Sequence, residues 1–111
     1  MTGTRTEAKP SPLVNGFRNE LELLERHVRM LQFVEKHGPV GIIRLSTLMQ
    51  IPKHKVRYSL RILEREGFIQ PSTQGAVATE KVAQFFEQIQ GMMGDVKRQL
   101  DTIALSLQRP R

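Results

Sequence analysis

The chain contains no cysteine and no tryptophan. Without cysteine there are no disulfides, zinc knuckles, iron–sulfur ligands or thiol nucleophiles, and the absence fits a reducing, cytoplasmic setting. Aromatic residues number one Tyr and five Phe in 111 residues, so aliphatic side chains must build most of the core. No apolar run approaches the roughly 18 consecutive residues of a membrane span. The first residues hold no apolar segment of the secretory type, so no signal peptide is expected. There is no glycine-rich phosphate loop, nucleophile elbow or HExxH motif. His27, His37 and His54 have no acids or cysteines at metal-ligand spacing. They read as a helix-surface, a helix-end and an outward-facing residue. The acids are scattered, with no paired acid and base. The expectation is a protein that is not an enzyme and holds no metal or cofactor.

What is present is a basic excess in one place. The formal net charge is +6, which favours polyanionic partners without specifying a fold. Residues 53–66 carry Lys53, Lys55, Arg57, Arg61 and Arg65 against Glu64 and Glu66. Half the net charge therefore lies in one short segment. A solvated helix face accounts for such a run as readily as nucleic acid does, so the segment's context must decide.

Residues 1–16 are polar and rich in Thr, Pro and Gly, and read as a flexible N-terminal arm. From Phe17, apolar residues at Leu21, Leu24, Val28, Leu31 and Val34 predict an amphipathic helix. Asn19 with Glu22, or else Asn15, is its expected cap. His37-Gly38-Pro39 should end it, with Gly38 left-handed. Val40–Ile42 is long enough only for one bridging strand. A second helix, about 43–50, should bury Leu45 and Leu48, with Met49 as a further candidate. Ile51-Pro52 forces a turn, since the residue before proline avoids helical geometry. A third helix then runs from Pro52–Lys53 to about Glu66 with Val56, Leu60 and Leu63 inward. Small Ser59 should let the preceding helix approach, and Gly67 stops the helix. Phe68–Pro71 and Ala76–Thr79 are expected to pair around Ser72-Thr73-Gln74-Gly75. Thr79 and Glu80 suit the start of a last helix.

At about 100° per residue, Lys53, His54, Arg57, Tyr58, Arg61 and Arg65 gather opposite the inward face of the third helix. That is what a helix entering a DNA major groove requires. Arginine can donate two parallel hydrogen bonds to guanine, and lysine suits phosphates. The run from Leu45 to Ile69, with Ile51-Pro52-Lys53, then Val56-Arg57, Leu60, Leu63-Glu64 and Gly67-Phe68-Ile69, resembles the winged helix-turn-helix of many bacterial and archaeal regulators. The likeness covers about residues 28–80, and the layout with a long last helix is similar to regulators of the PadR and MarR kind. It implies a mostly α fold with a β-hairpin wing, a winged domain over 17–79 and a dimerisation helix over 80–111. It also implies a transcription regulator that binds double-stranded DNA in the cytoplasm, associated with the nucleoid. Lys53, Lys55 and Arg65 would hold phosphates, while His54, Arg57, Tyr58 and Arg61 read base edges. One departure is clear. The hairpin tip, Ser72–Val77, carries no basic residue, so the arm with Arg5 and Lys9 is the alternative source of a minor-groove contact.

The last helix carries Val82, Phe86, Ile89, Met93, Val96, Leu100, Ile103 and Leu107 at alternating steps of four and three. This is an unbroken heptad seam. A helix of about 38 Å outruns what so small a core can cover, so the seam predicts a coiled-coil-like homodimer. Gly91 and Gly94 weigh the other way, toward a first half packed on its own domain and a second half that frays. Met92 and Met93 read as packing residues rather than as the lining of a ligand pocket, and no small-molecule ligand is evident. Two other readings stay open: a protein-interaction module of a transcription or chromatin assembly, and a sequence-neutral chromatin protein.

Overall fold

The computed structural model describes residues 9–108. Its elements in chain order are α1 (Pro12–His37), α2 (Ile42–Met49), α3 (Lys53–Arg65), β1 (Ile69–Ser72), β2 (Gly75–Ala78) and α4 (Lys81–Gln108). The chain is mostly helical, with one small antiparallel hairpin and a long C-terminal helix.

The first helix begins earlier than its apolar periodicity indicates. Ser11 caps it, its Oγ accepting the Val14 N–H at 3.2 Å, and Pro12 supplies a preset helical φ in the first turn. Neither Asn15 nor Asn19 is the cap, because both lie inside the helix. The expected arm is therefore shorter: residues 12–16 are helical, and residues 1–8, including Arg5, lie outside the described residues. The earlier start leaves Leu13, Val14 and Phe17 exposed on α1, beyond the core that the pattern from Leu21 onward was serving.

At the other end, Gly38 is extended (φ −64°, ψ 149°), not left-handed. Its requirement is steric. A Cβ there would lie 2.6 Å from the Val34 carbonyl oxygen and 3.0 Å from that of Ala76. The absent side chain lets α1 meet β2, and Val40 then bridges Ala76 with reciprocal backbone hydrogen bonds of 2.8 and 3.1 Å. This is the single bridge that three residues allow.

The α2–α3 turn is tight. Gln50 takes the left-handed conformation (φ 58°), Ser46 Oγ donates to the Ile51 carbonyl at 2.6 Å, and Pro52 precedes the first helical residue. The hairpin is tighter than expected. Strand pairing extends to Ser72↔Gly75, leaving Thr73-Gln74 as a two-residue turn. Gly75, at φ 128°, permits it, and Ser72 Oγ donates to the Gly75 carbonyl at 2.7 Å. Pro71 pairs with Ala76 on the outer strand, where its missing N–H leaves no ladder bond broken. Thr79 ties the hairpin to both helices: its Oγ1 donates to the Gly67 carbonyl at 2.7 Å and accepts the Lys81 N–H at 3.3 Å.

The core draws on every element. Met30, Leu31 and Val34 of α1 meet Leu45 and Met49 of α2, Val56 and Leu63 of α3, Ile69 and Ala76 of the hairpin, and Val82 of α4. Leu48, expected inside, is only half-buried, because the eight-residue α2 turns Leu45 and Met49 inward instead. Phe68 stacks on Phe85 with ring centroids 4.4 Å apart, sealing the start of α4. Beyond this point the molecule narrows. Its principal extents are 61 × 31 × 22 Å and its radius of gyration is 17.9 Å, against about 13 Å for a compact chain of 100 residues.

Two glycine substitutions separate these environments. Gly38→Ala should destabilise by about 1–3 kcal/mol through its clash with two backbone carbonyls. Gly91→Ala, where nothing lies within 4 Å, should stabilise by about 0.5–1 kcal/mol by raising helix propensity. Urea denaturation monitored by circular dichroism reads both, and equal effects of one sign would contradict this account.

Candidate nucleic-acid interface

The third helix is divided sharply between its faces. Val56, Ser59 and Leu63 are buried and Leu60 is half-buried. Lys53, His54, Lys55, Arg57, Arg61 and Arg65 are exposed, and Tyr58 is 43% exposed. Every basic residue singled out in the sequence therefore lies on the solvent side. None forms an ion pair among the described residues, where the one pair present joins Arg98 to Asp95 on α4. Nor does any acid sit in the first turn of α3. A row of unpaired cations on a helix whose other face is packed is an arrangement that an external polyanion completes.

Two shallow depressions flank this row. One, of about 420 Å³, lies at the N-terminal ends of α2 and α3 and is lined by Arg44, Lys53 and Arg57 with Gly41, Ile42 and Ile43. Arg44 was not picked out from the sequence, where α2 was read only for its inward residues. Its signal was available, as the one cation in α2, beside an Ile43 left 68% exposed. The other depression, of about 520 Å³, lies between α3 and the hairpin and includes Arg61, Arg65, Glu64, Gln70 and Pro71. The hairpin tip, Thr73 and Gln74, is exposed and uncharged.

Ser59 is wholly buried, and its role differs from the expectation that it opens a path for α2. It faces α1. Arg26 Nε donates to Ser59 Oγ at 3.0 Å, and the same oxygen lies 3.0 Å from His27 Nδ1. A guanidinium can only donate, so Ser59 Oγ is the acceptor in that bond, and its own proton can be donated to Nδ1 of a neutral His27. Burial holds the His27 pKa below its ordinary value, and the neighbouring Arg26 charge lowers it further. His27 also stacks with Tyr58, ring centroids 6.3 Å apart, and the Arg26 guanidinium lies over the same ring at 5.9 Å. His27 is thus a half-buried link to α3 and not the surface residue its position on α1 suggested. Sequence spacing within one helix carries no sign of a bond to a residue 32 positions later.

The seam along α4 is divided. Val82 is fully buried in the core of its own chain, so it is not available to a partner's seam as the heptad spacing implied, while Phe86 packs against that core and is half-buried. A core residue and a seam residue obey the same 3.5-residue repeat, and the pattern cannot separate them. Ile89, Met93 and Val96 are half-buried, while Leu100, Ile103 and Leu107 are exposed, at 43%, 51% and 81%. Phe17 of α1 faces Val96, Leu100 and Ile103 across an apolar depression of about 450 Å³. The N-terminal half of α1 and the C-terminal half of α4 therefore approach each other at Phe17.

No protein-family model matches this chain, and no curated protein matches it. Among the described residues, no group of three His, Cys, Asp or Glu side chains is placed to hold a metal ion. No helix there is long and apolar enough to cross a membrane.

His27 gives the site a pH signature. Its folded pKa is depressed, so the unfolded chain takes up the proton first. Its contribution to stability is complete above the ordinary value of 6.5 and declines as pH falls through 6.5 toward the lower folded value. His27→Gln should flatten the dependence of melting temperature on pH across this window. A variant that keeps the full wild-type slope would contradict the assignment.

Proposed function

We propose that this protein is a winged-helix transcription regulator that binds duplex DNA as a homodimer in the cytoplasm, associated with the nucleoid. The observation that carries this reading is the face of α3. Six basic side chains and Tyr58 are exposed without acidic partners, and the opposite face is fixed in the core by Val56, Ser59 and Leu63. In this reading α3 lies in the major groove. Arg57 and Arg61, one turn apart, meet guanine edges together with His54 and Tyr58. Lys53, Lys55 and Arg65 meet phosphates. The hairpin serves as a wing whose contacts come from hydroxyls, Gln74 and backbone N–H groups, since its tip bears no cation.

Dimerisation is the reading best supported by the far ends of α1 and α4. Leu13, Phe17, Leu21, Leu100, Ile103 and Leu107 are exposed there, an apolar surface that a single chain leaves in water at a cost of about 25 cal/mol per Å². A second copy, presenting the same stripe, is self-complementary and would cover it. The partner seam in this proposal runs from Phe86 to Leu107, joined by Phe17 of α1, and excludes Val82. A two-fold dimer of this kind requires half-sites about one helical turn apart, or a multiple of it.

Selection from random duplex DNA followed by anisotropy titration tests the function. A recovered palindrome bound far more tightly than scrambled DNA is expected. Binding without sequence enrichment would replace the proposal with a sequence-neutral chromatin role, and no binding would turn α3 toward a protein partner. On the selected duplex, Arg57→Ala and Arg61→Ala should each cost about 1–3 kcal/mol and relax specificity. Sedimentation should give a dimer for the wild type and a monomer for Ile103→Glu, and a wild-type monomer at micromolar concentration would contradict the seam.

A further inference from the structure

We infer that Arg26, on α1, is an additional phosphate-binding residue of the DNA site, held in place by Ser59; this rests on the reading of α3 given above. Arg26 differs from the cations of α3 in being half-buried and fixed. Its Nε is used within the protein, donating to the fully buried Ser59 Oγ at 3.0 Å. Its guanidinium plane lies over the Tyr58 ring at 5.9 Å. These two contacts restrain the side chain at its base and on one flat face. They leave the terminal Nη groups, which carry four of the five donors of the fork, with no hydrogen-bond partner among the described residues.

The charge is equally unanswered. Glu22 lies one turn back on α1, at the spacing that favours an ion pair, yet no carboxylate among the described residues pairs with Arg26. The Arg26 charge lowers the proton affinity of the adjacent His27. The groups that touch Arg26 from α3 are Ser59 and Tyr58, and neither is a carboxylate. A half-buried cation without a paired carboxylate has lost part of its hydration without gaining a counter-ion. An oxyanion reaching it from outside would complete it, and two parallel Nη–H donors match a phosphate.

Position selects the source of that phosphate. Arg26 reaches the surface at Tyr58, on the exposed face of α3, so a duplex engaging that face brings its phosphodiester backbone alongside. Prior immobilisation by Ser59 and Tyr58 means that little side-chain freedom remains to be lost on binding. Arg26 then contributes affinity without sequence preference, and Ser59 is its positioning residue.

The test is a titration of selected and scrambled duplexes at several salt concentrations with wild type and Arg26→Gln. The variant should lose at least roughly tenfold in affinity on both duplexes alike, and its slope of log Kd against log salt should fall by about 1.8, or about 0.9 for each of the two Arg26 side chains of the dimer. A folded Arg26→Gln variant with the wild-type slope would overturn the inference. The ¹⁵N resonance of Arg26 Nε in the wild-type protein gives a reading that needs no substitution. It should shift on addition of the selected duplex, and an unmoved signal at saturation would overturn the inference while leaving the regulator reading intact. Wild type that binds neither duplex would overturn both.

Discussion

The arrangement of this protein depends on the burial of one small polar side chain, Ser59, against α1. Its hydroxyl accepts from Arg26 and faces His27 Nδ1, which joins the middle of α3 to the middle of α1. A larger residue there would hold the two helices apart. A residue without a hydrogen-bonding group would leave a guanidinium N–H and an imidazole nitrogen unsatisfied in a half-buried place, at about 1–3 kcal/mol for each group. With this contact made, Val56 and Leu63 on either side fall into the core, and the direction of the basic face is fixed. The exposed cations owe their common orientation to what lies behind them.

The same economy of core explains the long helices. The buried set of eleven apolar residues uses only the second half of α1 and the first turns of α4. The other ends project together, apolar and uncovered, and give the molecule its 61 Å length. One end thus offers a hydrated basic surface and the other an apolar one. These suit two different kinds of partner, a polyanion and a second copy. In the proposed dimer, the projecting helices would set the distance between the two α3 helices, so the half-site spacing would be a property of the stalk rather than of the groove-facing residues.

Much of this was legible in the sequence, and the rest was hidden for identifiable reasons. The order of elements follows from apolar spacing punctuated by Gly38-Pro39, Ile51-Pro52, Gly67 and Gly75, and the exposed residues of α3 follow from helical phase. The start of α1 is hidden because Ser11-Pro12, an ordinary cap signal, lies in a polar stretch whose composition suggests disorder. The heptad repeat points Val82 at a partner because it records that a residue is buried, never by which chain. The link from His27 and Arg26 to Ser59 spans more than thirty residues, and no local pattern encodes it. Arg44 stands alone as a cation in the short α2, and its place beside Lys53 and Arg57 depends on the turn that sets α2 against α3.

Hydrogen–deuterium exchange with and without a selected duplex tests most directly whether α3 is the surface that meets duplex DNA. Binding should slow exchange in residues 53–65 and at the start of α2, and leave residues 96–107 unchanged. Protection confined to residues 96–107, or none in α3 under conditions of saturated binding, would contradict it.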